Sequence, residues 1–192
     1  MSCLVLDAMG VIFKSADDVA ELLIPFITEK SGSTDEEVIQ SAYLEASLGE
    51  ISPDEFWNQV DVASELEDEF LSRHSLNSGI IELLSQAKGN DISLWCLSND
   101  VGRWSDKLRK NLGIEKFLNG SIISSDVGVR KPDKEIYEIL IQSSGYKAED
   151  ILFVDDREKN VISSREVGIE TVMFNPEIGF TDVRNWISRR AL

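Results

Sequence analysis

Apolar positions along this chain follow two rhythms. Short runs of strand length stand at residues 4–6, 92–97, 151–154 and 170–174, with a weaker fifth, SIIS, at 121–124. Between them lie segments with apolar residues at helical spacing, at 79–88, 101–112, 134–143 and 158–167. Gly89, Gly113, Gly145 and Gly168 fall just past these segments, where a helix end favours a left-handed residue. Strand and helix in strict alternation predict an α/β fold, a doubly wound parallel sheet of the Rossmann-like kind with helices on both faces.

One block departs from the alternation. Residues 15–76 hold no strand-like run, only helical patterns at 17–29, 34–48, 53–60 and 65–74. Ser33-Thr-Asp-Glu-Glu37 and Ser52-Pro-Asp-Glu55 are helix openings, each with a hydroxyl cap and early acids, the second with proline in its first turn. The expected organisation is therefore an α/β core from residues 1–14 and 77–192, interrupted by a small all-helical insertion at 15–76. No internal repeat or low-complexity linker is visible.

Composition narrows the partners. The 192 residues carry a formal charge of −16 with 42% hydrophobic and 28% charged residues, ordinary for a globular domain but repellent to phosphate backbones and anionic lipid. Nucleic acid and membrane are thus not expected as partners, and any small anionic ligand needs a local positive site. No apolar run nears the roughly 20 residues of a membrane span, and no secretory signal is seen, so a cytoplasmic location is expected. Cys3 and Cys96 sit in apolar runs without metal or redox spacing and are expected as buried thiols.

In an open parallel sheet, residues at the carboxyl ends of strands line the ligand crevice. Asp7 follows the first run, Ser98 and Asn99 the second, and Asp155 with Asp156 the third, while Lys131 sits ahead of a helix in Val129-Arg-Lys-Pro-Asp133. Each alone is commonplace: a strand-end Asp is usually a turn or cap residue, and Asp-Asp before a helix is often an N-cap. Brought together, three carboxylates need either a raised pKa or a cation. With oxygen ligands and neither histidine nor thiol near, Mg²⁺ is the natural occupant.

Four ordered motifs, LVLDAMGVIF, LWCLSND, VRKPDKEIYE and ILFVDDREKNV, resemble those of the haloacid dehalogenase superfamily, and the 15–76 insertion sits where one branch carries a helical cap. Response-regulator receivers use a similar pocket but place the acidic pair before the phospho-accepting Asp. The resemblance implies Asp7 as nucleophile, forming an aspartyl-phosphate. It implies Mg²⁺ on Asp7, the Met9 backbone carbonyl and Asp156, with Asp155 behind them or as an alternate ligand. Ser98 and the Asn99 amide would hold phosphoryl oxygens of a small phosphorylated molecule, with Lys131 offsetting the charge of Asp7 and phosphate. Asn160 either orders the last loop or is a helix-surface amide. A monomer or homodimer is expected.

Met9 departs from the family's phosphatases, which place there a second Asp that protonates the leaving group and activates water; such a group is worth roughly 10²–10⁴ in rate. Three readings stay open. One is a phosphohydrolase acting on good leaving groups or borrowing an acid from the cap, with Glu45, Glu50 and His74 as candidates. Another is a 2-haloacid dehalogenase, since halide leaves without a proton. The third is a catalytically weakened relative that binds a phosphorylated ligand or a partner. Phe56 and Trp57 are expected to pack between cap helices, and Arg103 is either an anion contact or an exposed helix residue.

Overall fold

The computed structural model describes residues 2–32 and 35–190. In chain order these form β1 (Cys3–Leu6), a π-helical stretch Val19–Leu23 running into α1 (Ile24–Ser31), α2 (Glu36–Ser47), α3 (Pro53–Gln59), α4 (Glu67–Leu71), α5 (Ile80–Gly89), β2 (Ser93–Ser98) and α6 (Gly102–Asn111). There follow β3 (Gly120–Ile123), the single turn α7 (Ser124–Val127), α8 (Lys134–Ser144), β4 (Ile151–Asp155), α9 (Glu158–Glu166), β5 (Glu170–Met173) and α10 (Thr181–Arg190).

The five strands pair in parallel in the order β3-β2-β1-β4-β5. This is the doubly wound α/β sheet that the alternation predicts. Every residue of central β1 is buried, as a strand covered on both faces must be. Leu4 and Leu6 join Leu94, Cys96, Leu152 and Val154 on one face, while Cys3 and Val5 join Leu97, Ile151 and Phe153 on the other, the period-2 alternation of a strand. The chain builds β2 and β3 on one side of β1 and then crosses to build β4 and β5, so the switch point lies at the carboxyl end of β1.

Between β1 and β2 the described residues hold only helices. The Ser52 hydroxyl accepts from the Glu55 amide at 3.2 Å while the Glu55 carboxylate accepts from the Ser52 amide at 2.8 Å, with Pro53 opening α3. The hydroxyls at 33 and 34 lie outside the described residues; α2 is capped by Asp35, which accepts from the Val38 amide at 3.2 Å. Phe56 and Trp57 pack as expected. Trp57 meets Trp104 of α6 at 5.3 Å between ring centroids, and Phe70 of α4 meets it at 5.4 Å, so these helices share one apolar cluster with the sheet.

Two local expectations fail. Gly89 lies inside the last turn of α5 without positive φ, because Asn90 closes that helix; Gly113, Gly145 and Gly168 do take left-handed φ. The expected helix at 17–29 opens with the π-helical stretch instead, and Asp18 caps it without a side-chain hydrogen bond.

Candidate active site

β1 ends where the apolar run ends, and the Asp7 amide donates to the Val154 carbonyl at 2.9 Å, extending the pairing by one residue. This sets the Asp7 side chain beside the end of β4. Oxygens of Asp7, Asp155 and Asp156 then lie within 4.8 Å of one another. The Lys131 ammonium pairs with Asp7 Oδ1 at 2.7 Å and Asp155 Oδ2 at 2.8 Å, and donates to the Leu97 carbonyl at 2.9 Å. Its three N–H bonds are thus spent on holding β1, β2 and β4 together at one point.

Asn99 explains how a loop lysine is held so firmly. Its side chain accepts from the Lys131 amide at 2.8 Å and donates to the Lys131 carbonyl at 2.8 Å. Sequence reasoning gave Asn99 only a backbone role; this clamp had no signal beyond the residue type. Asn160 is buried and donates to both Asp155 oxygens at 3.0 Å, so it orders the loop rather than facing solvent. With the Arg157 amide at 2.8 Å, Asp155 has a partner for each lone pair that matters.

Asp156 is different. Its Oδ1 is buried with no hydrogen-bond partner among the described residues, as is the hydroxyl of Ser98. Gly10, at φ +77°, leaves the space Asp156 uses: a Cβ there would sit 2.2 Å from Asp156 Oδ2. Burial, and after it the Asp155 charge, pushes the Asp7 carboxyl well above the usual range, with Lys131 pulling the other way. Burial and Asp155 likewise raise Asp156. For Asp155 burial acts upward too, but Lys131 and the hydrogen bonds outweigh it and hold it low. Three carboxylates against one ammonium leave two negative charges when all are ionised. A hard divalent cation with oxygen ligands fits that charge, the unpartnered Asp156 oxygen and the close spacing.

Asp7, Met9, Ser98, Asn99, Lys131 and Asn160 line one cavity of about 650 Å³. Asp155 and Asp156 stand outside its wall and join it through Asp7. Four basic residues line it (Arg130, Lys131, Arg157, Lys159), matching four acids (Asp7, Asp17, Asp18, Glu37), so the cavity is locally neutral in a chain of −16. That meets the need for a local offset to the acidic surface. From the helical block the wall takes Val19, Gln40, Tyr43 and Leu44 among others. Glu45, Glu50 and His74 do not line it. Arg103 is no anion contact in the cavity: it pairs with Asp54 at 2.9 Å and Glu67 at 2.7 Å, across to the helical block. Cys3 and Cys96 are free and buried, and burial pushes both thiols up to about 12.

Acids, a serine hydroxyl and a fixed ammonium thus gather at the switch point of a doubly wound parallel α/β sheet. The chain belongs to the haloacid dehalogenase-like hydrolases, whose family model matches residues 1–168. Among curated proteins it is 27% identical over 129 residues to the sesquiterpene phosphatase astK of Aspergillus oryzae, covering 63% of this chain and 66% of that one. It is 29% identical over 103 residues to flavin mononucleotide hydrolase 1 of Arabidopsis thaliana, covering 54% and 42%. The matched stretches thus span less than two thirds of either relative. A family enzyme of Bacteroides thetaiotaomicron, solved with magnesium and inorganic phosphate, superposes with a TM-score of 0.79 at 20% identity, over 95% of this chain and 98% of that one. This last likeness establishes the fold.

Proposed function

We propose that the chain is a Mg²⁺-dependent phosphohydrolase of small phosphorylated molecules, working through an aspartyl-phosphate on Asp7. The observation that carries this reading is the pair of unpartnered oxygens, Ser98 Oγ and Asp156 Oδ1, near a nucleophile that Lys131 holds in place. Asp7, the Met9 carbonyl and Asp156 would hold the ion, with Asp155 fixed behind them by Lys131 and Asn160. When bound, Mg²⁺ supplies the charge neutralisation that lets an anionic phosphoryl group come up to a carboxylate.

The chain's own groups do the rest. Asp7 presents its carboxylate to phosphorus. The Ser98 hydroxyl and the Asn99 amide take phosphoryl oxygens, and Lys131 offsets the charge that builds there. Residues 15–76 act as a cap that walls the cavity, and Tyr43 ties it to the core by donating to the Asn99 carbonyl at 3.2 Å. Relatives named for a sesquiterpene, for flavin mononucleotide and for glyceraldehyde 3-phosphate share a phosphorylated small molecule and little else in the leaving group. The test is release of phosphate from a panel of esters with Mg²⁺ or chelator, by the native protein and by Asp7→Asn. Mg²⁺-dependent release that disappears in Asp7→Asn is expected. Metal-independent halide release from 2-haloacids instead would make the protein a dehalogenase.

A further inference from the structure

Met9 leaves the phosphohydrolase reading without a proton donor at the position the family uses. The cavity wall holds four acids: Asp7, Asp17, Asp18 and Glu37. Asp17 and Glu37 are exposed, and Asp17 is spent in part on accepting from the Ala20 amide at 3.1 Å. Asp18 is the buried one besides Asp7, at 6% exposure. The loop after Met9 brings it there. The Gly10 amide donates to the Ser15 carbonyl at 2.8 Å, folding the segment back on Met9 three residues before Asp18.

Behind Asp18 stands His74. Its Nδ1 lies 3.1 Å from the Leu71 carbonyl, which can only accept, so Nδ1 carries a proton. Its Nε2 is buried with no hydrogen-bond partner among the described residues and faces Asp18 Oδ2 at 4.0 Å. Asp18 and His74 thus stand together as a buried pair. Asp100, 1% exposed and with an unpartnered Oδ2, lies close enough to feel both. Tyr43 from α2 feels the charges of Asp18 and Asp100 as well as those of Arg130 and Arg157, and the Arg130 guanidinium lies 5.8 Å from its ring centroid. The backbone at this point is π-helical from Val19 to Leu23, a rare form that gathers at functional sites.

Resting on the phosphohydrolase reading, we infer that Asp18 is the acid and base that Met9 cannot be, with His74 as its positioning residue. In the first half, the Asp7 carboxylate bonds to phosphorus, the ester P–O bond breaks, and the leaving alkoxide takes the proton of the Asp18 carboxyl. In the second, water bonds to phosphorus, the Asp18 carboxylate takes a water proton, and the P–O bond to Asp7 breaks. The sum is ester plus water giving alcohol plus phosphate, with every group restored.

The native protein gives the first test. With an acid in place, kcat/KM for phosphate esters depends shallowly on the pKa of the leaving alcohol; a steep dependence overturns the inference. The second test is Asp18→Asn. Turnover of an alkyl phosphate is expected to fall about 10²-fold or more. With 4-nitrophenyl phosphate, whose phenolate leaves without a proton, the variant should release a burst of one equivalent and stall as the aspartyl-phosphate. Met9→Asp is expected to restore turnover in that background. An Asp18→Asn protein that turns over alkyl phosphate within twofold of native, without a stalled phosphoenzyme, overturns the assignment to Asp18. A native protein that never forms a phosphoenzyme, or an Asp7→Asn variant that keeps full activity, sinks the underlying reading instead.

Discussion

At Asp100, 1% exposed, burial and then the Asp18 charge raise the carboxyl from 3.8 to about 7, against the pull of the Val101 amide, His74 and Arg109. A carboxyl raised in the folded state binds more protons there than in the unfolded chain. Its stabilising contribution is therefore complete below the unfolded value and lost as pH rises through the folded one. Asp100→Asn removes that loss while keeping an oxygen for the Val101 amide, which donates at 2.7 Å. Urea unfolding at pH 5 and pH 8 should show the variant gaining on the native protein at the higher pH, by up to about 3 kcal/mol. Equal differences at the two pH values would mean that Asp100 stays ionised throughout.

Between elements, Glu67 of α4 does what no motif announces. Though 2% exposed, its carboxylate accepts from the Trp57 indole at 3.0 Å and the Trp104 indole at 2.7 Å, and pairs with Arg103 at 2.7 Å and Lys107 at 2.8 Å. It fastens the helical block to α6. Glu67→Ala strands two indole N–H groups and leaves Arg103 and Lys107 only their exposed partners Asp54 and Asp68, and equilibrium unfolding should register a loss of about 3 kcal/mol. A loss under 1 kcal/mol would show the aromatic cluster holding this junction alone. Burial acts to raise this carboxyl, but Lys107, Arg103 and the indoles outweigh it and hold it low. Its contribution is present above the ordinary glutamate range and goes as pH falls below it.

The same junction marks where the sequence stops being legible. Strands and core helices could be read because period 2 and period 3.6 are local, and the Asp7, Ser98, Lys131 and Asp155–Asp156 positions could be read because strand ends meet at a switch point. Glu67 looks like one more acid in Glu65-Leu-Glu-Asp-Glu69, and only tertiary packing separates it from Glu65 and Glu69, which are left exposed. Asp18 was hidden in the same way beside Asp17. The C-terminal helix α10 went unread although Val183, Trp186 and Ile187 keep helical spacing and are buried, because seven polar residues dilute the pattern. Arg103, open to two readings, proved to be a strut between helices.

Over the whole molecule, the charge of −16 and the locally neutral cavity belong together. An acidic surface raises the local concentration of divalent cations and slows anions, and the basic residues at the cavity offset that acidity locally. Among the described residues no helix is long and apolar enough to cross a membrane. Since a cation bound only by the folded state stabilises it by mass action, Mg²⁺ should raise the melting temperature in a concentration-dependent way. At 100 times its dissociation constant the gain is about 2.7 kcal/mol. Asp156→Asn should lose this response, and an undiminished response would place the ion elsewhere. The most direct measurement is chemical. The protein is mixed with a phosphate ester and Mg²⁺, quenched within a turnover, digested and read by mass spectrometry. Phosphate on the peptide carrying Asp7, absent when Mg²⁺ is chelated, is the predicted result; phosphate on another residue, or turnover with none trapped even in Asp18→Asn, would contradict the account.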